Sequence, residues 1–204
     1  RFAVGPPHRH RAHPRGERYL ADGEAYSADG DLQASMRSLV VVTVASMAMV
    51  MVADDAYVFM VIWELMALSS FFLVTANHTI PAIRRAGYLY LLVAHIGALG
   101  ILLAFGVLQA HTGDYTFANM RAQHLSPFWA STAFLLALFG FGAKAGMLPL
   151  HIWLPEAHPA APSPVSALMS GVMLKTAIYG ILRVGFEVLQ TQLWWWGVLA
   201  IVLG

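Results

Sequence analysis

The sequence predicts an all-α protein that crosses a membrane several times. Hydrophobic residues make up 58% of its 204 positions and charged residues 11%, whereas a soluble domain carries roughly 25% charged residues. Apolar runs of about 20 residues, the length of a helix that spans a bilayer, follow one another from residue 38 onward. This composition excludes a water-soluble globule. The net charge of +1, with no basic stripe, does not indicate a nucleic-acid partner.

Five complete membrane helices and the start of a sixth are predicted, and together they form one transmembrane domain over residues 38–204. The helices cover residues 38–53, 56–76, 86–108, 128–154, 165–186 and 189–204. Asp54 and Asp55 separate the first two as a tight turn, and an aspartate there suits the N-cap of the second helix. The chain begins without Met and ends inside an apolar run, so we expect it to be a piece of a longer protein.

Residues 1–37 differ sharply in composition from the rest of the chain. They are rich in Arg, His, Gly and Pro and predict a polar loop. They do not read as a signal peptide, because no compact apolar core with a cleavage site follows the charges.

The basic residues set the predicted orientation. Lys and Arg in short flanking loops favour the cytoplasmic side of a membrane. One side carries eight arginines and the other side two: Arg1, Arg9, Arg11, Arg15, Arg18, Arg37, Arg84 and Arg85 against Arg121 and Arg183. We therefore expect residues 1–37 and the 77–85 loop to face the cytoplasm, in a multi-pass protein of the bacterial inner (plasma) membrane.

Three ionisable residues lie inside apolar spans. Glu64, Lys144 and Lys175 occupy separate predicted helices, and a charge near the bilayer centre costs at least ~2.5–3.5 kcal/mol. Such residues indicate a relay for protons or cations. Burial favours the neutral amine of a lysine, whereas a nearby carboxylate favours its ammonium. We therefore predict that Glu64 and Lys144 form a coupled pair and that Lys175, buried like Lys144, continues the relay.

The fourth span combines glycines and prolines that disfavour a continuous helix. Pro149 lacks a backbone donor and would clash with the carbonyl four residues earlier, and Gly146 precedes it closely. Broken helices at ion sites recur in transporters, so the sequence predicts an interruption between about residues 144 and 152. The alternative is a kink for packing, in which Gly142 and Gly146 form a GxxxG contact face.

Three histidines are candidates for proton transfer. His95 lies near the middle of the third span, where its two ring nitrogens suit a relay, although a packing histidine remains the alternative. His151 and His158 flank the interruption and either line a proton uptake path or bond loop carbonyls. No metal site or cofactor is predicted, because the chain has no cysteine and the His-rich N-terminal stretch lacks a rigid scaffold.

Two stretches carry a family resemblance. The runs GFGAKAGMLPLHIWLPEAHPAAPSPVSALMSGVMLKTAIYGILR and WELMALSSFFLV resemble the antiporter-like membrane subunits of respiratory complex I and of cation/proton antiporter complexes. They are most similar to the large membrane subunit of hydrogenase-4 and formate hydrogenlyase-type complexes. The resemblance implies a five-helix half of an inverted-repeat fold, plus the start of a sixth helix. It also implies that Glu64 pairs with a lysine, that Lys144 lies on the discontinuous helix, and that Lys175 passes protons towards the subunit centre.

The predicted function is proton translocation by a membrane subunit of a redox-driven complex, of the NADH:quinone oxidoreductase or membrane-bound hydrogenase/formate hydrogenlyase kind. The expected partners are the lipid bilayer, other membrane subunits and a peripheral redox arm, with no redox centre in this chain. One alternative is a cation/proton antiporter subunit that is not coupled to redox chemistry, which sequence separates poorly because ion identity depends on cavity geometry. A haem-binding electron carrier needs paired histidines at mid-depth, and only His95 is central. A structural anchor without transport is opposed by the lysines within the spans.

Overall fold

The structure, a computed structural model, describes residues 15–110, 112–190 and 193–203, with side chains from residue 33 onward. Every regular element in these ranges is a helix. The described residues form two compact units that divide between Arg37 and Ser38. The predicted all-α architecture is confirmed, because every regular element in the described ranges is a helix.

Eight α-helical elements follow the chain. They are α1 (Arg15–Val52), α2 (Ala56–Val74), α3 (Pro81–Gln109), α4 (Phe117–Arg121), α5 (Pro127–Ala145), α6 (Leu154–Ala160), α7 (Ser163–Val188) and α8 (Trp194–Leu203). Within α7, two segments have π-helical hydrogen bonding, namely Met169–Met173 and Arg183–Val188. The described residues contain five helical stretches long and apolar enough to cross a membrane, namely Gln33–Val52, Ala56–Val74, Pro81–Gln109, Pro127–Ala160 and Ser163–Val188. These stretches match the five predicted complete spans.

Helix α1 begins earlier than the sequence predicts. It starts at Arg15, inside the stretch 1–37 for which a polar loop is expected. Between Pro14 and Pro81 the chain has no proline, and residues 15–37 contain many Ala, Glu, Leu and Arg, which favour helix. The loop prediction is therefore wrong from Arg15 onward, while residues 1–14 lie outside the described residues. The cytoplasmic location of 1–37 stays a prediction.

Helices α3 and α5 approach each other most closely, at glycines. A Cβ built on Gly140 would lie 2.5 Å from the backbone oxygen of Gly97, and one on Gly97 would lie 2.8 Å from that of Gly140. Small residues of this kind allow two membrane helices to pack backbone against backbone. This contact fixes the distance between α3 and α5, the two helices that carry the central polar site.

The predicted interruption of the fourth span is present. Helix α5 ends at Ala145, and Gly146 follows with a φ of 76°, in the left-handed region that glycine adopts readily. The peptide before Pro149 is cis. A 3₁₀ turn over Leu150–Trp153 then leads into α6. The break therefore begins at the glycine, three residues before the proline.

Four charged side chains join one end of the bundle. Asp54 precedes α2, Arg121 ends α4, and both Arg183 and Glu187 lie in the last segment of α7. Arg121 is 3.3 Å from Asp54 and 3.1 Å from Glu187, and Arg183 is 3.6 Å from Asp54 and 3.5 Å from Glu187. Because both arginines contact the same aspartate, they share one end of the bundle, as the orientation argument requires.

Candidate functional site

Lys144 is a buried cation at the end of the broken helix. It lies in the last turn of α5 and is 3% exposed. Its Nζ donates a hydrogen bond of 2.5 Å to the hydroxyl of Tyr90 and lies 4.5 Å from the centre of that ring. Among the described residues, no carboxylate forms an ion pair with Lys144. The immediate environment of the ammonium is therefore a hydroxyl and an aromatic face.

Tyr90 connects this lysine to three other elements. Its hydroxyl lies 2.6 Å from Ser70 Oγ on α2 and 3.7 Å from Met173 Sδ on α7. Its ring packs edge-on against Trp153, 5.1 Å between centres. The Trp153 indole in turn donates a 2.8 Å hydrogen bond to the Ala143 carbonyl, next to Lys144. A polar cluster of Ser70, Tyr90 and Lys144 thus joins α2, α3 and α5 inside the bundle.

Sequence reasoning missed Tyr90, although a signal for it exists. Tyr90 lies three residues after Gly87 and seven before Gly97, which places all three on one helical face. A face with such small residues predicts close helix contact, and Tyr90 is 1% exposed, whereas neighbouring Tyr88 is 66% exposed. A tyrosine on the small-residue face of a span is therefore a candidate for a buried polar contact.

Glu64 pairs with His95 instead of Lys144. The carboxylate oxygen Oε2 of Glu64 lies 3.6 Å from His95 Nε2, and the other ring nitrogen of His95 is 3.0 Å from the Leu91 carbonyl. Among the described residues no ion pair joins Glu64 to Lys144, and the coupling of the two stays a prediction. Ser70, which reaches the Lys144 cluster, lies six residues after Glu64. On α2, that spacing corresponds to about 9 Å along the helix axis and roughly a third of a turn around it. Glu64 and Ser70 therefore lie on different sides of the helix.

The Glu64–His95 pair faces outward from the chain. The side chains of Glu64 and His95 are 32% and 49% exposed, and they line a groove between α2 and α3 whose other walls are apolar residues such as Met60 and Leu99. The prediction that both residues lie inside spans is confirmed. The structure places them at this groove, whereas Lys144 is buried inside the bundle. Their part in a relay stays a prediction.

Lys175 is exposed on this chain, contrary to the expectation that it is buried. It lies between the two π-helical segments of α7. The packed face of the helix is formed by Met173, Thr176, Ala177 and Gly180, so Lys175 points away from the bundle. Among the residues that the structure describes, it has no hydrogen-bond or ion-pair partner. Its proton-relay role also stays a prediction.

The histidines beside the break form no hydrogen bond with the Lys144 cluster in the described residues. His158 Nδ1 is 2.8 Å from Ser166 Oγ, at the start of α7. The Nδ1 atom of His151 is buried and has no hydrogen-bond partner within the described residues. Neither histidine forms a hydrogen bond with Lys144 within the described residues, and a proton uptake path through them stays a prediction. No three metal-ligating side chains come together in the described part of the chain.

Comparison with known proteins assigns the family. Residues 53–204 match the family described as NADH:quinone oxidoreductase/Mrp antiporter, TM. The chain is 51% identical over 173 residues to hydrogenase-4 component B of Escherichia coli (strain K12), which covers 84% of this chain and 26% of the relative. It is 36% identical over 155 residues to formate hydrogenlyase subunit 3 of the same organism, covering 75% of this chain and 24% of the relative.

A solved structure shows the same fold. A chain in the structure of the Mrp complex from Dietzia sp. DQ12-45-1b has 32% identity and a TM-score of 0.68, covering 74% of this chain and 17% of that one. The present chain spans about a quarter of the length of the curated relatives it matches. The resemblance expected from the sequence is confirmed: this multi-pass membrane chain belongs to the NADH:quinone oxidoreductase/Mrp antiporter transmembrane family.

Proposed function

We propose that this chain forms part of a proton-translocating membrane subunit in a redox-driven complex. The observation that carries the proposal is Lys144, a cation that is 3% exposed at the end of a broken membrane helix. Ionisable groups at membrane depth are costly and mark ion or proton pathways. Broken helices that open backbone groups at such sites are a feature of transporters.

The Lys144 contact suits a group that gains and loses a proton. As an ammonium, Lys144 donates to the Tyr90 oxygen, and as a neutral amine it accepts from the Tyr90 hydroxyl. One contact therefore serves both protonation states. A carboxylate partner would hold the charged state more strongly, because opposite charges attract at close range. In this proposal the relay includes three further proton-binding groups, namely Glu64, His95 and Lys175.

The exposed polar groups support a multi-subunit assembly. Glu64 and His95 line the α2–α3 groove, and Lys175 lies on the outer face of α7. Lipid hydrocarbon solvates such groups poorly, so in this proposal they face other parts of the parent protein or neighbouring membrane subunits. We assign the drive to a peripheral redox arm built from other chains. The relatives named as hydrogenase-4 component B and formate hydrogenlyase subunit 3 favour this assignment.

The proposed location is the bacterial inner membrane, with residues 1–37 and the 77–85 loop on the cytoplasmic side. The excess of arginines in those two segments supports this orientation. The relatives from Escherichia coli agree with a bacterial membrane.

A second candidate is a cation/proton antiporter subunit without redox coupling. It is favoured by the 32% identity to a chain in the Mrp complex structure. A haem-binding role needs paired histidines at mid-depth, and among the described residues His95 lies beside Glu64 and the Leu91 carbonyl and not beside a second histidine.

The test is proton translocation by the complete parent protein in its complex, in inverted membrane vesicles with a pH-sensitive dye. Lys144→Met keeps the apolar stem and removes the amine, so vesicle acidification should be lost. Complex content and redox turnover are measured in the same vesicles to show that the complex is assembled. Arg85→Met removes an exposed cation and serves as the matched control. Normal acidification by an assembled Lys144→Met complex would refute the proposal. Acidification that needs an imposed sodium gradient and no electron donor would favour the antiporter.

A further inference from the structure

A chain of buried hydroxyls leads from Lys144 to helix α2. We propose that the Tyr90 hydroxyl carries protons between Lys144 and Ser70, so that Tyr90 is the immediate proton-exchange partner of the lysine. The inference rests on the proposed function of Lys144 as a proton site. Tyr90 and Ser70 are each 1% exposed, and the two contacts of the Tyr90 hydroxyl, 2.5 Å to Lys144 and 2.6 Å to Ser70, are both short hydrogen bonds.

The transfer balances as a concerted shift of protons along this chain. The Lys144 ammonium gives a proton to the Tyr90 oxygen as the Tyr90 proton moves to Ser70 Oγ. The Ser70 proton passes to a water molecule, which becomes hydronium. Lysine is left as a neutral amine that accepts from the Tyr90 hydroxyl, and both hydroxyls are re-formed with reversed hydrogen bonds. Only N–H and O–H bonds form and break.

The neighbouring groups give the chain a direction. Met173 Sδ, the other neighbour of the Tyr90 hydroxyl at 3.7 Å, is a thioether with only weak acceptor capacity, so it ends that branch. Ser70 donates to the Met66 carbonyl at 2.5 Å and lies 3.1 Å from the Ala67 carbonyl. A serine hydroxyl rotates about one bond, so the final transfer needs it to turn from this backbone oxygen to water.

Packing alone would explain the Tyr90 ring but not the hydroxyl arrangement. The ring contacts Trp153 and the Lys144 side chain, and phenylalanine would fill the same space. The hydroxyl adds the only hydrogen bond that Lys144 Nζ makes to the described residues. Removal of the hydroxyl therefore separates the packing role from the proton role.

The experiment compares two matched pairs of variants in the complete protein within its complex, assayed in vesicles as for Lys144→Met. Tyr90→Phe is paired with Tyr88→Phe, which alters an exposed tyrosine on the same helix. Ser70→Ala is paired with Ser69→Ala; both serines are buried and adjacent, but Ser69 bonds Thr43 and not Tyr90. A positioned proton-transfer group contributes about 10²–10⁴-fold to its step. Since transfer need not limit the unaltered protein, we expect at least a roughly tenfold fall in translocation rate for Tyr90→Phe and a fall for Ser70→Ala, with neither control affected.

A second measurement distinguishes proton transfer from a structural role. The solvent deuterium isotope effect on translocation should rise in Tyr90→Phe and Ser70→Ala, because proton transfer becomes rate-limiting, and should stay unchanged in the controls. Unaltered translocation and isotope effect in assembled Tyr90→Phe would overturn the inference. If Tyr90→Phe does not assemble, Ser70→Ala decides alone, and behaviour identical to Ser69→Ala overturns the inference. Loss of translocation in Lys144→Met together with unaltered Tyr90→Phe and Ser70→Ala would reject this path while leaving the proposed function standing.

Discussion

Replacement of Gly140 by alanine should separate helices α3 and α5. The added Cβ would lie 2.5 Å from the Gly97 oxygen, 2.6 Å from Ile101 Cγ1 and 2.7 Å from the Ile101 nitrogen. Two of these three atoms belong to backbone, so rotation of a side chain does not relieve the overlap. To bring the 2.5 Å contact to the 3.4 Å of ordinary van der Waals contact, the helices must move about 0.9 Å apart.

The expected cost follows from this separation. A gap of 0.5–1 Å forfeits about a quarter to a half of the dispersion attraction of the contacts it opens. Overpacking a well-packed site costs roughly 1–3 kcal/mol, and a backbone clash belongs at the upper end. Alanine recovers about 1 kcal/mol over glycine through helix propensity. The net expectation is a loss of about 2 kcal/mol in the free energy of unfolding.

The assay is thermal unfolding of the complete purified protein, with Gly106→Ala as the matched control. Gly106 lies on α3, and a Cβ there has no atom within 4 Å, so this variant should be neutral or up to about 1 kcal/mol more stable. Equal or greater stability of Gly140→Ala than of Gly106→Ala would refute the packing argument. Lys144 follows Gly140 by one helical turn, so Gly140→Ala should also weaken the Lys144–Tyr90 hydrogen bond and slow proton translocation.

Two further outcomes are expected. Trp153→Phe keeps an aromatic ring against Tyr90 but leaves the Ala143 carbonyl without its donor, so the thermal unfolding measurement should show a loss of roughly 1–3 kcal/mol, and unchanged stability would contradict it. Outside the spans, hydrogen bonds from Thr116 and Asn119 lower the pKa of Asp114 below its ordinary value of 3.8. The ionised carboxylate therefore stabilises this loop fully above that value, and the contribution disappears as pH falls through the lowered pKa. Hydrogen exchange of residues 112–120 should accelerate in acid for the natural protein but not for Asp114→Asn.

The spans were predictable because they depend on local composition. An apolar run of sufficient length is excluded from water whatever its neighbours are, and glycine and proline act on their own backbone. Hence the five spans and the break near Gly146 follow from the sequence. The start of α1 at Arg15 did not, because residues 15–37 mix the helix-favouring Ala, Glu, Leu and Arg with Gly and Asp, which disfavour helix, so their local signal is mixed.

The contacts between ionisable side chains were not predictable from composition. The depth of a residue in the membrane follows from its position along the helix. The rotation of the helix about its axis, and the helices that it contacts, depend on packing across the whole bundle. The α3–α5 contact at Gly97 and Gly140 decides which face of α3 turns inward, and that face carries Tyr90 and not His95. Glu64 accordingly meets His95 on the outer side. Sequence reasoning paired the two residues of opposite charge, whereas packing paired the lysine with a hydroxyl.

The helix break also supplies a backbone group that the site uses. In an unbroken helix the Ala143 carbonyl would accept from the Met147 amide, four residues later. Here the left-handed turn at Gly146 directs the Met147 amide to the Gly142 carbonyl instead, at 2.9 Å. The Ala143 carbonyl is thereby available to the Trp153 indole, which reaches it from the turn after the break.

The segment after the break therefore packs back against the end of α5 and stabilises the Lys144 site. Trp153 is held by α5 through this hydrogen bond, and its ring packs against Tyr90 on α3. Tyr90 in turn contacts Lys144, one residue beyond the carbonyl that Trp153 binds. A continuous helix would give that carbonyl an amide partner, so Trp153 would lose its acceptor and Tyr90 one of its supports. The interruption thus does more than admit a buried charge: it fixes the geometry of the hydroxyl that meets the charge.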